Sequence, residues 1–312
     1  IGTIRIFIKN RCIPHLLFYG PPGTGKTSLI MACAKELYGK YLPFMVMELN
    51  ASDDRGIEVV RNKIKQFVMS ENVFFGKTAD DRKNIFKLVI LDETDAMTPD
   101  AQAILRKIVE KYTYNTRFCL ICNYIQNINP ALQSRCTRFR FSPIGNMNIK
   151  TKIKEIAQKE NIKILPSGIE TITKRSSGDM RRVINMLQSV SMSYSTINEK
   201  NVNMCLGYPR KNHIEEIMEC LINKTFSQAY TEIIKIKNVN GISLKDIISE
   251  IHDILINYLI NDNAVFVCVK KLSTKQITNI LDSLRTIEIN ESVNTIENIQ
   301  YGGLISVFKM FV

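Results

Sequence analysis

No stretch of the sequence approaches the roughly 18 consecutive apolar residues that a membrane-spanning helix requires, so no membrane is expected among its partners. Histidine is scarce, at three residues, and the eight cysteines are scattered. Cys119 and Cys122 make the one C-x-x-C pair, and neither a second pair nor a nearby histidine completes a zinc site. Both lie in Arg117-Phe118-Cys119-Leu120-Ile121-Cys122-Asn123, which reads as a buried strand, and such packed thiols fit a reducing, intracellular compartment. The opening residues, Ile1 to Lys9, lack a basic leader and a small-residue cleavage site, so they do not read as a secretory signal. They begin abruptly inside an apolar pattern, and the natural N-terminus is expected upstream. Acidic residues are outnumbered, 30 against 42 Lys plus Arg, for a formal charge of +12. That balance favours a polyanionic partner through salt-sensitive steering, although many basic enzymes never touch nucleic acid.

What is present is enough for two or three domains: 312 residues, 45% hydrophobic and 23% charged. The chain is organised around Leu16-Leu17-Phe18-Tyr19-Gly20-Pro21-Pro22-Gly23-Thr24-Gly25-Lys26-Thr27, followed by Ser28. It reads as a buried strand, a glycine-rich turn and a helix start, and it matches G-x-x-x-x-G-K-[ST]. Triphosphate oxygens need several convergent backbone N–H groups, which side chains at the glycine positions would obstruct. Lys26 supplies a charge for the outer phosphates, Thr27 a hydroxyl for Mg2+, and the helix its N-terminal dipole. The expected ligand is ATP or GTP.

Residues 1 to 9 fit a strand through Ile4, Ile6 and Ile8, or a helix through Ile1, Ile4 and Ile8. Strands are expected at Leu16 to Tyr19, Met45 to Leu49, Leu88 to Leu91, Phe118 to Cys122 and Thr137 to Phe141. Helices are expected from Thr27 to Tyr38, after Gly56, and after Thr98-Pro99, with Gly76 to Lys87 a polar connection. Strands alternating with helices require crossovers and a parallel sheet covered on both faces, so residues 1–141 form a nucleotide-binding α/β domain. Strand-like runs vanish after Pro143. Residues 142–206 read as a small helical domain and 207–312 as a further all-helical one.

Hydrolysis needs an acid for magnesium, a group that orients water and donors for the developing charge. Asp92 ends an apolar strand at the edge where ligands collect in open α/β sheets, and is the candidate metal carboxylate. Glu93 follows as the residue that orients or activates water. If the acidic pair instead caps the next helix, Thr94 or Asp95 is the better-spaced cap. Asn123 ends the next strand and can reach the attacking water or the terminal phosphate. Arg135, in Gln133-Ser134-Arg135-Cys136, reaches either its own nucleotide or one in a neighbouring subunit. Arg181 and Arg182 start a helix from which a phosphate can be touched across a cleft, and a solvated basic face is the alternative for both arginine clusters.

The phosphate loop, Leu49-Asn50-Ala51-Ser52-Asp53-Asp54-Arg55-Gly56-Ile57, Asp92-Glu93-Thr94-Asp95-Ala96-Met97, Ser134-Arg135-Cys136 and Gly178-Asp179-Met180-Arg181-Arg182 together resemble the small subunits of eukaryotic replication factor C, the clamp loader. The resemblance implies an AAA+ nucleotide-binding domain, a helical lid and a collar domain that holds a heteropentamer. It implies an ATPase using ATP and Mg2+, in which Gly20, Pro21, Pro22, Gly23, Thr24, Gly25, Lys26, Thr27 and Ser28 hold the nucleotide. Thr27 and Asp92 would serve the metal and Glu93 catalysis. Asn123 would be the first sensor, Arg135 an arginine finger given in trans, and Arg181 the second sensor. Arg61, Arg106 and Lys107 resemble positions facing DNA in the inner channel, a solvated helix face being the alternative for each. The implied partners are the other replication factor C subunits, the sliding clamp PCNA and primer-template DNA, in nuclear replication and repair. Two departures stand out: Thr94 where the family usually has alanine, and no match to the family's N-terminal Glu-Lys-Tyr-Arg-Pro run. The alternatives are an ATP-binding structural subunit with little turnover, in this or a checkpoint or cohesion complex, and a Holliday-junction helicase motor of the same superfamily.

Overall fold

Leu88, Val89, Ile90 and Leu91 are wholly apolar because both faces of their strand are covered. In the computed structural model, which describes residues 2–10, 12–51, 57–70, 86–261, 266–292 and 296–311, this run lies in the strand β3 (Lys87–Asp92). With β1 (Leu16–Tyr19), β2 (Val46–Asn50), β4 (Thr116–Cys122) and β5 (Thr137–Arg140) it forms a parallel sheet of order β2-β3-β4-β1-β5. Strand alternation sends Leu17, Val89, Leu91, Phe118 and Leu120 to one face, against Ile64 and Val68 and against Ala101, Leu105 and Val109. Leu16, Phe18, Leu88, Ile90 and Ile121 go to the other, against Ile30, Cys33 and Ala34. Each fully buried Leu or Ile contributes roughly 1.5–3 kcal/mol.

The helices over these faces follow from local chemistry. Helix Gly2–Lys9 decides the ambiguous opening segment: Ile4 and Ile8, one turn apart, are buried, while Ile6 is 59% exposed. Helix Pro99–Tyr112 starts at Thr98, whose hydroxyl accepts the Ala101 N–H at 3.3 Å. The cap is therefore Thr98 rather than Thr94 or Asp95, with proline in the first turn, where its missing N–H costs nothing. Met45 ends a short helix, Leu42–Met45, and β2 begins one residue later than expected.

Lys87, read from sequence as the end of a polar connection, opens β3 and is buried. Its ammonium donates to the Phe67 carbonyl at 2.7 Å, the Ser70 carbonyl at 2.5 Å and the Ser70 hydroxyl at 2.8 Å. It thereby helps satisfy the carbonyls at the end of helix Ile57–Met69, where the Ser70 hydroxyl also donates to the Phe67 carbonyl at 2.8 Å. The rest of the Gly76 to Lys87 connection, apart from Phe86, lies outside the described residues.

The chain divides into two compact units, Ile1–Ile156 with Ile172–Asn185, and Ala157–Thr171 with Met186–Val312. The sheet belongs to the first. The second is helical, and its core gathers Ile217, Leu221, Ile233, Ile251, Leu255, Ile280, Leu304 and Phe308, all buried. Helix Phe226–Asn240 opens with a reciprocal cap between Thr225 and Gln228 and closes at the left-handed Gly241. Helix Glu199–Leu206 is capped by Asn198, whose side chain accepts the Asn201 N–H at 2.8 Å. Among the described residues, no helix is long and apolar enough to cross a membrane.

Candidate functional site

The loop from Gly20 to Thr27 joins β1 to helix Lys26–Tyr38, and its glycines are there for space. At Gly20 a Cβ would stand 2.1 Å from the Phe141 carbonyl oxygen, and at Gly23 it would stand 1.6 Å from Asp179 Oδ1. Gly25 precedes the helix in the left-handed region, φ 87°. The helix therefore starts without a side-chain cap, leaving its first N–H groups turned to the loop.

Lys26 is buried and its ammonium donates to the carbonyls of Gly20 and Pro21, each at 2.8 Å, and to Asn123 Oδ1 at 2.9 Å. Desolvation pulls its pKa below the usual lysine value, and Asp92, Cys122 and Asp95 oppose that effect. The Thr27 hydroxyl donates to Asp92 Oδ2 at 2.6 Å, while Asp92 Oδ1 accepts the Glu93 N–H at 2.8 Å. Glu93 is exposed and left-handed, φ 54° and ψ 36°, a conformation that costs a non-glycine residue about 1–3 kcal/mol. Strain of this kind persists where the surroundings hold it. Thr94 is fully buried and donates to the Leu91 carbonyl at 2.9 Å, so its hydroxyl is satisfied without engaging the two carboxylates.

These groups face one cleft of about 430 Å³ within the first unit. Pro22 to Ser28 form its floor, Asp92, Glu93 and Asn123 one wall, and Ile144, Met180, Arg181 and Ile184 the other. Gly20 and Pro21 are absent from the lining and act through the carbonyls that hold Lys26. Thr27 and Asp92 offer two hard oxygen donors side by side, which fits a magnesium ion that takes few protein ligands and completes its shell with water and phosphate. Among the described residues no cluster of three or more His, Cys, Asp or Glu could hold another metal.

Other expected site residues lie elsewhere. Arg135 does not line the cleft; it pairs with Glu110 at 2.5 Å and donates to the Ala131 carbonyl at 2.6 Å. Arg106 sits 3.8 Å from the same Glu110 oxygen, half-buried rather than fully solvated, and Lys107 beside it is exposed. Arg61 is in helix Ile57–Met69, but its side chain falls outside the described residues.

Sequence reasoning missed three supports. Asp95 Oδ2 accepts the backbone N–H groups of Asn123 and Tyr124, at 3.1 and 3.0 Å, and so fixes the end of β4 against the acidic turn. Asp179 caps its helix by accepting the Arg182 N–H at 3.1 Å, and the next residue, Met180, donates its N–H to the Gly23 carbonyl at 3.0 Å. The Gln102 side chain donates to the Asn127 carbonyl at 2.9 Å and accepts the Asn129 N–H at 2.7 Å. The Asp179-Met180-Arg181-Arg182 spacing carries a capping signal; the other two pairings are long-range and leave no local trace.

Family models match in order along the chain: "ATPase family associated with various cellular activities (AAA)" over 16–144, "RFC1-like, AAA+ ATPase lid domain" over 146–203, and "Replication factor C C-terminal domain" over 209–307. Replication factor C subunit 5 of Mus musculus is 45% identical over 99% of this chain and 86% of its own length. Replication factor C subunit 3 of Saccharomyces cerevisiae is 40% identical over 99% of this chain and 87% of its own. The solved RuvB Holliday junction branch migration motor of Thermotoga maritima has a TM-score of 0.52 over 80% of this chain and 84% of its own, at 16% identity, a likeness of fold alone. With an AAA+ sheet, a lid and a C-terminal helical region, and relatives this similar over nearly its whole length, the chain belongs to the replication factor C family of AAA+ ATPases.

Proposed function

We propose that the chain is an ATP-hydrolysing subunit of a clamp loader in DNA replication, and that the cleft from Pro22 to Ser28 is its ATP site. The observation that carries this reading is the convergence of Lys26, Thr27, Asp92, Glu93 and Asn123 on one cleft at the carboxyl ends of β1, β3 and β4. The backbone N–H groups of the loop cradle the phosphates, and Lys26 exchanges its carbonyl partners for phosphate oxygens. Thr27 and Asp92 hold magnesium, which when bound neutralises phosphate charge. Glu93 orients the attacking water and takes its proton, while Asn123, held by Lys26, stands beside the terminal phosphate. Arg181, on the opposite wall, reports the nucleotide to the helix that carries it.

The finer parts of the reading rest on the same family. They are a heteropentamer with other replication factor C subunits, a PCNA clamp, primer-template DNA bound through Arg61, Arg106 and Lys107, work in replication and repair, and a nuclear location. The division into 1–141, 142–206 and 207–312 belongs with them. Arg135, already paired away from its own cleft, suits a role at a neighbour's site.

The test is to assemble the chain with its partner subunits and measure clamp loading and ATP turnover with every other site disabled. Turnover that survives, and is lost with Glu93→Gln, supports the proposal. No turnover at this site while loading proceeds normally would convert it to a structural subunit that only binds ATP.

A further inference from the structure

Arg135 is fixed more firmly than an exposed arginine needs to be. Its backbone lies between the buried Leu132 and Cys136, and the turn before it, Pro130–Gln133, is capped by the Asn129 side chain, which accepts the Ala131 N–H at 2.8 Å. The Gln133 amide donates to the carbonyls of Ile125 and Ile128, at 3.0 and 2.8 Å, closing the segment onto itself. The side chain is then held at both tips: Nη1 on the Ala131 carbonyl and Nη2 on Glu110 Oε1. A guanidinium has about five N–H donors and these contacts engage two of them, so donors remain for an incoming anion.

Glu110 comes from a different element, the last turn of helix Pro99–Tyr112. Arg106, one turn earlier on the same face, brings its Nε within 3.8 Å of that same Oε1. That Nε is buried and makes no hydrogen bond among the described residues, so a second cation stands beside the oxygen that Arg135 engages. The Arg135 and Glu110 side chains are 38% and 41% exposed, and a pair so placed adds little to stability. Its effect is on conformational freedom: two contacts on the guanidinium restrict a rotamer-rich side chain before any ligand arrives.

We infer that Glu110 is the positioning residue for Arg135, holding its guanidinium ready for the phosphates of a nucleotide bound by the adjacent subunit. The inference rests on the proposed trans role of Arg135 and adds the group that aims it. Pre-organisation of this kind acts on the chemical step, because misplacing a reacting group by about 1 Å costs on the order of 10²-fold.

The test uses the assembled complex, with turnover read at the adjacent site alone. Glu110→Ala is expected to lower kcat there between about 10- and 100-fold with KM for ATP little changed, and Glu110→Gln, which still accepts a hydrogen bond, to lie between it and the wild type. The double variant Glu110→Ala/Arg135→Ala should be no slower than Arg135→Ala, since Glu110 acts through the arginine. Should Glu110→Ala fail to assemble, Glu110→Gln alone and with Arg135→Ala carries the same comparison. Normal kcat in Glu110→Ala while Arg135→Ala is slow overturns the inference, as does a double variant several-fold slower than Arg135→Ala. If Arg135→Ala itself leaves the adjacent site untouched, it is the trans reading that has failed.

Discussion

The Thr27 hydroxyl donates to Asp92 Oδ2 at 2.6 Å, although the two residues stand 65 positions apart, one in the first turn of helix Lys26–Tyr38 and the other at the end of β3. That contact joins the phosphate loop to the acidic turn and puts Glu93 at the same cleft. Replacing Glu93 by Gln keeps the side chain's size and removes its basicity. Turnover should fall about 10²- to 10⁴-fold with ATP affinity nearly unchanged, measured by single-turnover hydrolysis beside equilibrium nucleotide binding. Equal loss of both would show that Glu93 serves binding rather than chemistry.

Gly23 and Gly25 separate two reasons for glycine. Both have positive φ, 65° and 87°, but a Cβ at Gly25 meets nothing within 4 Å whereas one at Gly23 runs into Asp179. Gly25→Ala should cost about 1 kcal/mol from backbone strain alone. Gly23→Ala should cost clearly more and weaken nucleotide binding, and Gly23→Ala/Asp179→Ala should recover part of the loss. Thermal melts with and without ATP compare the three.

His15 predicts an acid limit on stability. Its Nδ1 accepts the Phe118 N–H at 3.2 Å and its Nε2 lies 3.2 Å from the Thr113 hydroxyl. That hydroxyl already donates to the Val109 carbonyl at 2.6 Å, so it accepts from Nε2–H and the ring is neutral. Burial, helped by Arg117, pushes the pKa from 6.5 down to about 4. The unfolded chain therefore binds the proton first as pH falls. The stabilisation is complete above about 6.5 and is lost progressively towards about 4, on the order of 2 kcal/mol after solvent screening. His15→Asn should flatten the stability profile in that window, as followed by denaturant titration; an unchanged slope would remove His15 from the explanation.

Lys87→Met keeps the aliphatic stem and deletes the ammonium, stripping the Ser70 carbonyl of its lysine partner and leaving the Phe67 carbonyl with the Ser70 hydroxyl. A loss of about 2–3 kcal/mol is expected, with faster amide exchange at the end of helix Ile57–Met69. A variant as stable as the wild type would mean that water serves those carbonyls equally well.

The parallel sheet was legible because Leu88 to Leu91 and Phe118 to Cys122 have no polar face, and the phosphate loop because glycine spacing is local. The segment Gly2–Lys9 was not, since isoleucine on alternate positions and on helical positions looks alike until Ile6 is found exposed. Lys87 looked like loop because a buried ammonium is readable only once its carbonyl partners, 17 and 20 residues away, are in place. The acidic pair and Asn123 were identifiable from strand ends, whereas Asp95 beneath Asn123 and Glu110 beneath Arg135 depend on how helices and strands stack. Short periodicities survive in sequence; side chains that hold other side chains across the fold do not.

The contact between Gly23 and Asp179 restricts how the chain can vary. A larger residue at 23 requires a smaller one at 179, and also a way to relieve φ 65°, so the two positions can drift only as a couple. The Met180 N–H donates to the Gly23 carbonyl as well, so a shift of the loop backbone at 23 is felt at the head of this helix whatever side chains the two positions carry.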